Sequence, residues 1–224
     1  MIEDCYELYD SCIEEPELIF KIISNGRFDV IEKLIEDNQV NVNLVDSVGN
    51  DLVTRLLKAR QYDLVFKLMK KKNWKVNHKN INGDTFGHIL AHDNSCWAIK
   101  VVEQLSKKKN YLPNTKNNKG ETILDKAIKN NYLFTALKVI EDNRFDSIDI
   151  TSFKNLCNLF IKNREYGKYT KINTLKIIVG KFNKKKVDPE ISNLVEEMND
   201  NMDILKRDIM NDNYRSLDLL FSNY

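Results

Sequence analysis

The sequence predicts an all-α chain of stacked helix pairs, a helical repeat solenoid with short β-turn fingers and divergent terminal repeats. Three observations predict it. Within residues 117–143, Gly120 and Thr122 precede Ile123, Leu124, Ala127 and Ile128 at helical spacing. Asn130-Asn131 then breaks the run before a second apolar series, Leu133, Phe134, Leu137, Val139 and Ile140. Neither helix is long enough to persist alone in water, so the pair requires neighbours of its own kind. Gly83 and Gly49 head two such neighbours, NGDTFGHILAHDNSCWAIKVVEQL and GNDLVTRLLKARQYDLVFKLM. The three glycines fall 34 and 37 residues apart, close to the ~33-residue period of a repeat made of a turn and two helices. The third observation is a recurrent reversal and second helix: NGRFDVIEKLI, ARQYDLVFKLM, KNNYLFTALKVI and NDNYRSLDLLF.

Taken in order, residues 1–15 place Ile2, Cys5, Leu8, Tyr9, Cys12 and Ile13 at helical spacing among acidic side chains, which predicts an N-terminal cap helix. Pro16 suits the first turn of the next helix. Residues 16–45 form a first repeat without the leading turn, with Gly26 at its reversal and Val30, Ile31, Leu34 and Ile35 on its second helix. Residues 46–149 hold the three clearest repeats. Residues 150–187 read as a divergent repeat with helices at 152–163 and 170–182 around the loop NREYGKY. Residues 188–224 read as a degenerate C-terminal repeat or cap. There Asp188-Pro189 supplies an N-cap and first-turn pair for a helix reaching about Met202. The whole is expected to be one elongated repeat domain, atypical at its ends because terminal repeats face water on one side. Phe28, Tyr62, Tyr132 and Tyr214 occupy equivalent places and are expected to pack against the second helices.

The motif residues carry a resemblance to the ankyrin repeat, in which a D-x-x-G-x-T-P-L-H-x-A-A turn and helix precede a second helix. Asp46–Gly49 keeps the D-x-x-G, Thr85 and Thr122 keep the Thr, His88 the His, Leu124 the Leu, and Ala91 and Ala127 one alanine each. The chain departs from the pattern at the proline, where Leu52, Phe86 and Ile123 stand. It departs again at Gly87, and at Thr54 and Asp125 in the His position. The resemblance implies a non-catalytic protein-binding module that uses finger tips and the concave face of the first helices. Its stand-alone style is similar to ankyrin proteins of large DNA viruses, amoebal parasites and bacteria that deliver effectors into host cells, which implies host proteins as partners. The Asn/Lys/Ile-rich composition points the same way, toward an A+T-rich genome.

Composition excludes little by itself. The chain has 224 residues, 42% hydrophobic and 30% charged, with a net charge of +2, and that charge forces no partner class. It holds no run of eighteen apolar residues, and its start, MIEDCYELYD, lacks the apolar core of a signal peptide. Cys5, Cys12, Cys96 and Cys157 show no framework spacing, and no Asn-x-Ser/Thr acceptor occurs. These features lead us to expect reduced thiols and an intracellular location, cytoplasm or nucleus.

Residues able to carry chemistry are few. His88, His92 and Cys96 are spaced i, i+4, i+8, but Asp93, Asn94 and Ser95 fall at the expected reversal, and His88 sits where the resembled repeat hydrogen-bonds turn backbone. A Cys96–His92 nucleophilic pair lacks an orienting third group, and Gly180-Lys181 lacks the frame of a phosphate loop. No catalytic residue, metal site or cofactor is expected.

The runs Lys70–Lys72 with Lys75, Lys107–Lys109 and Lys184–Lys186 follow second helices, where cations offset the helix dipole. Aligned along one edge they offer the alternative of a nucleic-acid or acidic-polymer binder. A structural component of a large assembly is the other alternative. Partner-binding candidates lie at the expected tips and first-helix faces: Asn50, Asp51, Arg55 and Lys58; Lys79, Asn82 and Asp84; Lys116, Lys119, Glu121 and Lys126. Trp97 reads as a core residue of its second helix and joins this set only if exposed.

Overall fold

The computed structural model describes residues 2–93, 95–146, 148–164, 166–183 and 188–224, with side chains from residue 7 onward. The Lys184–Lys186 run, Asn94 and the side chain of Cys5 lie outside the described residues. Among those described, the chain is all helical apart from turns, with one isolated bridge between Val45 and Asp51. It forms two compact units, Met1–Glu121 and Thr122–Tyr224.

The first unit opens with α1 (Ile2–Glu14), followed by the pairs α2 (Leu18–Ser24) with α3 (Phe28–Glu36), α4 (Leu52–Lys58) with α5 (Tyr62–Met69), and α6 (Phe86–Leu90) with α7 (Cys96–Ser106). The helices pack in two rows. First helices α2, α4 and α6 touch in succession, as do second helices α3, α5 and α7, while α1 covers α3. Ile31, Leu34, Leu52, Leu56, Leu68, Leu90 and Leu105 are almost wholly shielded between the rows. Each such side chain contributes about 1.5–3 kcal/mol of burial, which offsets the weak intrinsic stability of helices this short. Trp74 meets Phe86 edge-on, with centroids 5.2 Å apart.

The second unit holds the pairs α8 (Ile123–Lys129) with α9 (Leu133–Glu141) and α10 (Ile150–Ile161) with α11 (Lys168–Phe182), then α12 (Pro189–Asp200), α13 (Met202–Met210) and α14 (Arg215–Ser222). Its core centres on Phe145, Phe153, Phe160 and Phe182, with Phe153 and Phe182 edge-on at 5.1 Å. Asp188 caps α12 through the Glu190 amide, with Pro189 in the first turn. The final segment is three helices and not the single degenerate pair expected. Asn201 ends α12, close to the end expected near Met202, and also begins α13, so the two helices meet at a single residue.

Five helix ends, those of α2, α3, α4, α8 and α13, share one hydrogen-bond pattern. After α4, Arg60 N–H bonds Leu57 O and Gln61 N–H bonds Leu56 O; after α8, Asn131 and Tyr132 do the same to Ile128 and Ala127. Gly26 after α2, Asn38 after α3 and Asp212 after α13 close their helices alike. The pattern requires a left-handed residue just past the cap. Glycine takes it freely, whereas Arg60 (φ 57°) and Asn131 (φ 59°) hold it against side-chain strain. Arg60→Gly and Asn131→Gly are therefore expected to stabilise the chain by about 0.5–1 kcal/mol each, read as a rise in the urea midpoint.

Asparagine supplies much of the stacking between repeats. Asn43 donates from Nδ2 to Asn73 O at 2.8 Å and accepts the Lys75 amide at Oδ1, also at 2.8 Å. Asn77 repeats the pattern, donating to Asn110 O at 2.5 Å and accepting from Leu112 N at 2.9 Å.

Candidate functional site

Three turns of the first unit are copies at the level of atoms. Asp46, Asn80 and Asn117 each accept two backbone amides on Oδ1: Val48 and Asn50, Asn82 and Asp84, Lys119 and Glu121, at 2.8–3.1 Å. Each turn closes with a glycine amide bonding back, from Gly49, Gly83 and Gly120, all at φ 71–76°. Small polar residues favour such turns because their side chains replace missing backbone partners.

Neighbouring turns are also tied together. Ile81 N–H bonds Val48 O at 3.2 Å and Asn118 N–H bonds Asn82 O at 3.0 Å. Asn80 Nδ2 donates to Asn50 Oδ1 at 3.0 Å, and Asn117 Nδ2 donates to Asp84 Oδ1 at 2.8 Å.

Each turn leads into a capped helix. Asp51 accepts the Thr54 amide at the start of α4. At α8, Thr122 N donates to Asp125 Oδ2 at 2.8 Å and Asp125 N donates to Thr122 Oγ1 at 3.3 Å, a reciprocal capping box. At α6 the third residue of the helix is His88, whose Nδ1 accepts the Thr85 amide at 3.1 Å. That leaves Nε2–H to donate to Glu121 O of the next turn at 2.8 Å. His78 likewise reaches Gly49 O at 2.8 Å. His88 thus works inside the turn stack, and α6 ends at Leu90 while α7 begins at Cys96, so His88, His92 and Cys96 do not share a helix. Among the described residues no group of three His, Cys, Asp or Glu side chains is placed to hold a metal.

The candidate binding residues divide sharply. Arg55 and Glu121 are half-buried, and Lys58, Lys79, Asn82, Lys116 and Lys119 are exposed. Asn50, Asp51, Asp84 and Lys126, expected on the accessible face, are buried. For Asn50, Asp84 and Asp51 the reason is the turn stack: Asn50 bonds Asp46 and Asn80, Asp84 receives Asn117, and Asp51 Oδ2 accepts the Trp74 indole N–H at 2.8 Å, whereas Lys126 is covered as a residue of α8. Lys79 is exposed but does not touch solvent only, because its ammonium donates to Lys116 O at 2.8 Å.

Trp97, read as a core residue, is 39% exposed. It stacks on Tyr62 with centroids 5.9 Å apart and carries Lys100 Nζ 4.4 Å from its ring centre. Tyr62 in turn donates to Asp93 at 2.5 Å. Lys70 and Lys107 stand at the C-cap positions of α5 and α7.

A cleft of about 840 Å³ opens between α2, α4 and the first turn. Leu18, Phe20, Val45 and Val48 give it apolar walls, with Lys21 and Arg55 among the charged lining. Sequence reasoning found Arg55 but missed Lys21, although both are the fourth residue of their helices in LIFKIIS and LVTRLLK, 34 positions apart.

Burial pushes the thiols of Cys12 and Cys157 up from their ordinary value, whereas Cys96 is exposed at the start of α7. Maleimide labelling of the native chain, followed by peptide mapping, is expected to modify Cys96 within minutes. Cys12 and Cys157 should be modified only after unfolding.

No helix among the described residues is long and apolar enough to cross a membrane. Compared with known proteins, the chain matches no family model and no curated protein.

Proposed function

We propose that this chain is a divergent ankyrin-type repeat array acting inside a cell, cytoplasm or nucleus, as a non-catalytic module that binds another protein. The observation that carries this reading is the turn stack with its cleft. Three hydrogen-bonded turns of one geometry stack in succession, and the first of them lines, with α2 and α4, an open cleft of about 840 Å³ with apolar and charged walls. Rigid elements that present exposed side chains beside a preformed groove suit recognition, because little ordering entropy is lost on binding. The style of the repeats supports a partner in a host cell.

Affinity capture with mass spectrometry from host cells tests the reading. The variant with Lys79, Asn82, Lys116 and Lys119 all replaced by Ala is expected to lose the captured partner while its melting temperature stays nearly unchanged, since exposed substitutions shift stability by under ~0.5 kcal/mol each. Replacing Lys107–Lys109 should matter less. Capture lost only with that lysine run, and weakening steeply with salt, would make nucleic acid the partner instead.

A further inference from the structure

We propose that the cleft between α2 and α4 receives a polar turn carried on a loop of the partner protein, which extends the turn stack at the Ser47 edge. That turn has glycine at its fourth place and a basic residue directly after it. The inference rests on the binding-module reading above and names the chemistry of its partner.

The turn stack is open at this edge. Within it, each turn donates the backbone N–H of its second residue to the carbonyl of the third residue of the turn before, Ile81 to Val48 and Asn118 to Asn82. Ser47 is the second residue of the first turn, and among the described residues its N–H has no hydrogen-bond partner. Helices α4, α6 and α8 each follow a turn, whereas α2 follows α1 and Pro16. Among the described residues, then, no turn of this kind stands ahead of the first one. The cleft of about 840 Å³ lies at that place, lined by Ser47 and Val48 of the turn and by Glu15, Glu17 and Leu18 around the start of α2.

The contacts already made inside the stack state what fits there. The fourth residue of each turn presses on the next turn: a Cβ on Gly49 would lie 3.3 Å from Ile81 N, and one on Gly83 would lie 2.7 Å from Asn118 N. An incoming turn therefore needs glycine at its fourth place, where φ is positive in all three copies. The residue after the glycine faces the first side chain of the next turn. Asn80 donates to Asn50 there at 3.0 Å, and Asn117 donates to Asp84 at 2.8 Å. Asp46 holds that place in the first turn and offers only oxygens, so the residue after the incoming glycine has to be a donor. Glu15 and Glu17 add negative charge to the lining, while Arg55 is already paired with Asp46 at 3.5 Å. Lysine or arginine after the glycine meets both demands.

A loop supplies this turn, and a further repeat does not. In the chain Gly49, Gly83 and Gly120 are each followed at once by a first helix, beginning at Leu52, Phe86 and Ile123. A helix so attached would fall beside α4, where α2 already packs. The same clash rules out the turns of a second copy of the chain. Leu18, Phe20, Val45 and Val48 give the side chains flanking such a turn an apolar wall, and Val45 and Val48 are each 41% exposed. Pairing backbone to an open edge, with side-chain contacts beside it, is a recurrent mode of peptide recognition. A phosphate backbone would instead meet Glu15, Glu17 and Asp46.

The test is titration of the isotope-labelled full chain with a synthetic disulfide-closed loop containing Asn-Ala-Lys-Gly-Lys, followed in the amide spectrum. The Ser47 amide is expected to shift most and to exchange more slowly with solvent. A loop with Ala in place of Gly, and one with Glu in place of the final Lys, should each bind about tenfold more weakly or worse. Ser47→Pro removes the free N–H at a place in the turn that proline favours, so the variant should keep its melting temperature and lose about tenfold or more in affinity. Ser47→Ala keeps the N–H and should bind as the parent does. Glu17→Lys, at an exposed position, should also weaken binding and reports on the charge even if Ser47→Pro disturbs the turn. A Ser47 amide that does not move, affinities indifferent to both Ser47→Pro and Glu17→Lys, or equal binding of the Ala loop would overturn the proposal. A host protein released by the Lys79/Asn82/Lys116/Lys119 variant but retained by Ser47→Pro would leave the module reading standing and remove the turn-docking reading.

Discussion

Gly83→Ala is expected to cost the chain about 3 kcal/mol or more, with a correspondingly lower urea midpoint. Two effects combine. Gly83 sits at φ 71°, where any side chain costs roughly 1–2 kcal/mol. A Cβ there would also lie 2.7 Å from the backbone nitrogen of Asn118 and 2.3 Å from its Oδ1. Asn118 cannot retreat freely, because its amide bonds Asn82 O and its side chain bonds Ile81 O at 3.0 Å. Gly120 is the internal control. It shares the left-handed backbone, at φ 75°, but a Cβ there meets nothing within 4 Å. Gly120→Ala should therefore cost only the conformational part, about 1 kcal/mol, with the β-branched Gly120→Val above it. Equal midpoints for Gly83→Ala and Gly120→Ala would mean that adjacent turns do not press together.

Asp51→Ala is expected to destabilise by about 3 kcal/mol and so to abolish binding through loss of fold. Its carboxylate accepts the Thr54 amide and the Trp74 indole N–H, each at 2.8 Å, and is almost wholly shielded from solvent. Alanine leaves the α4 terminus uncapped at about 1 kcal/mol and strands a buried indole donor at about 1–3 kcal/mol. Asp51→Asn keeps an acceptor for one of the two donors and should fall between. Circular dichroism melts of the three proteins check the order. Binding loss without a fall in melting temperature would return Asp51 to the interface, where its position in the turn first suggested it belongs.

Helical periodicity made the elements legible because it is local. Gly26, Asn130-Asn131 and Asp188-Pro189 mark ends that the structure also has. What escaped is information held between residues some thirty positions apart. Asn50 and Asp84 look like tip residues in a polar turn, yet their partners, Asn80 and Asn117, sit one repeat later and bury them. The abundance of asparagine reads as a compositional bias, whereas Asn43, Asn77, Asn80 and Asn117 bond across repeats. The left-handed Arg60 escaped for another reason: nothing in its side chain favours that backbone, and the reversal imposes it. Trp97 matched the apolar series of α7 but falls on its outer edge, against Tyr62 and beneath Lys100. The candidate site was half legible. Arg55 and Lys58 were readable from the helix face, while Lys21 became apparent only when α2 was set beside α4.

The most direct test of the account is hydrogen exchange by mass spectrometry on the full chain, free and bound to its captured host partner. Binding at the finger tips and the first-helix face predicts slowed exchange in residues 45–50, 52–58, 79–84 and 116–121, with α3 and α5 unchanged. Protection confined to the ends of α5 and α7 near Lys70–Lys72 and Lys107–Lys109, or to residues 150–224, would contradict it.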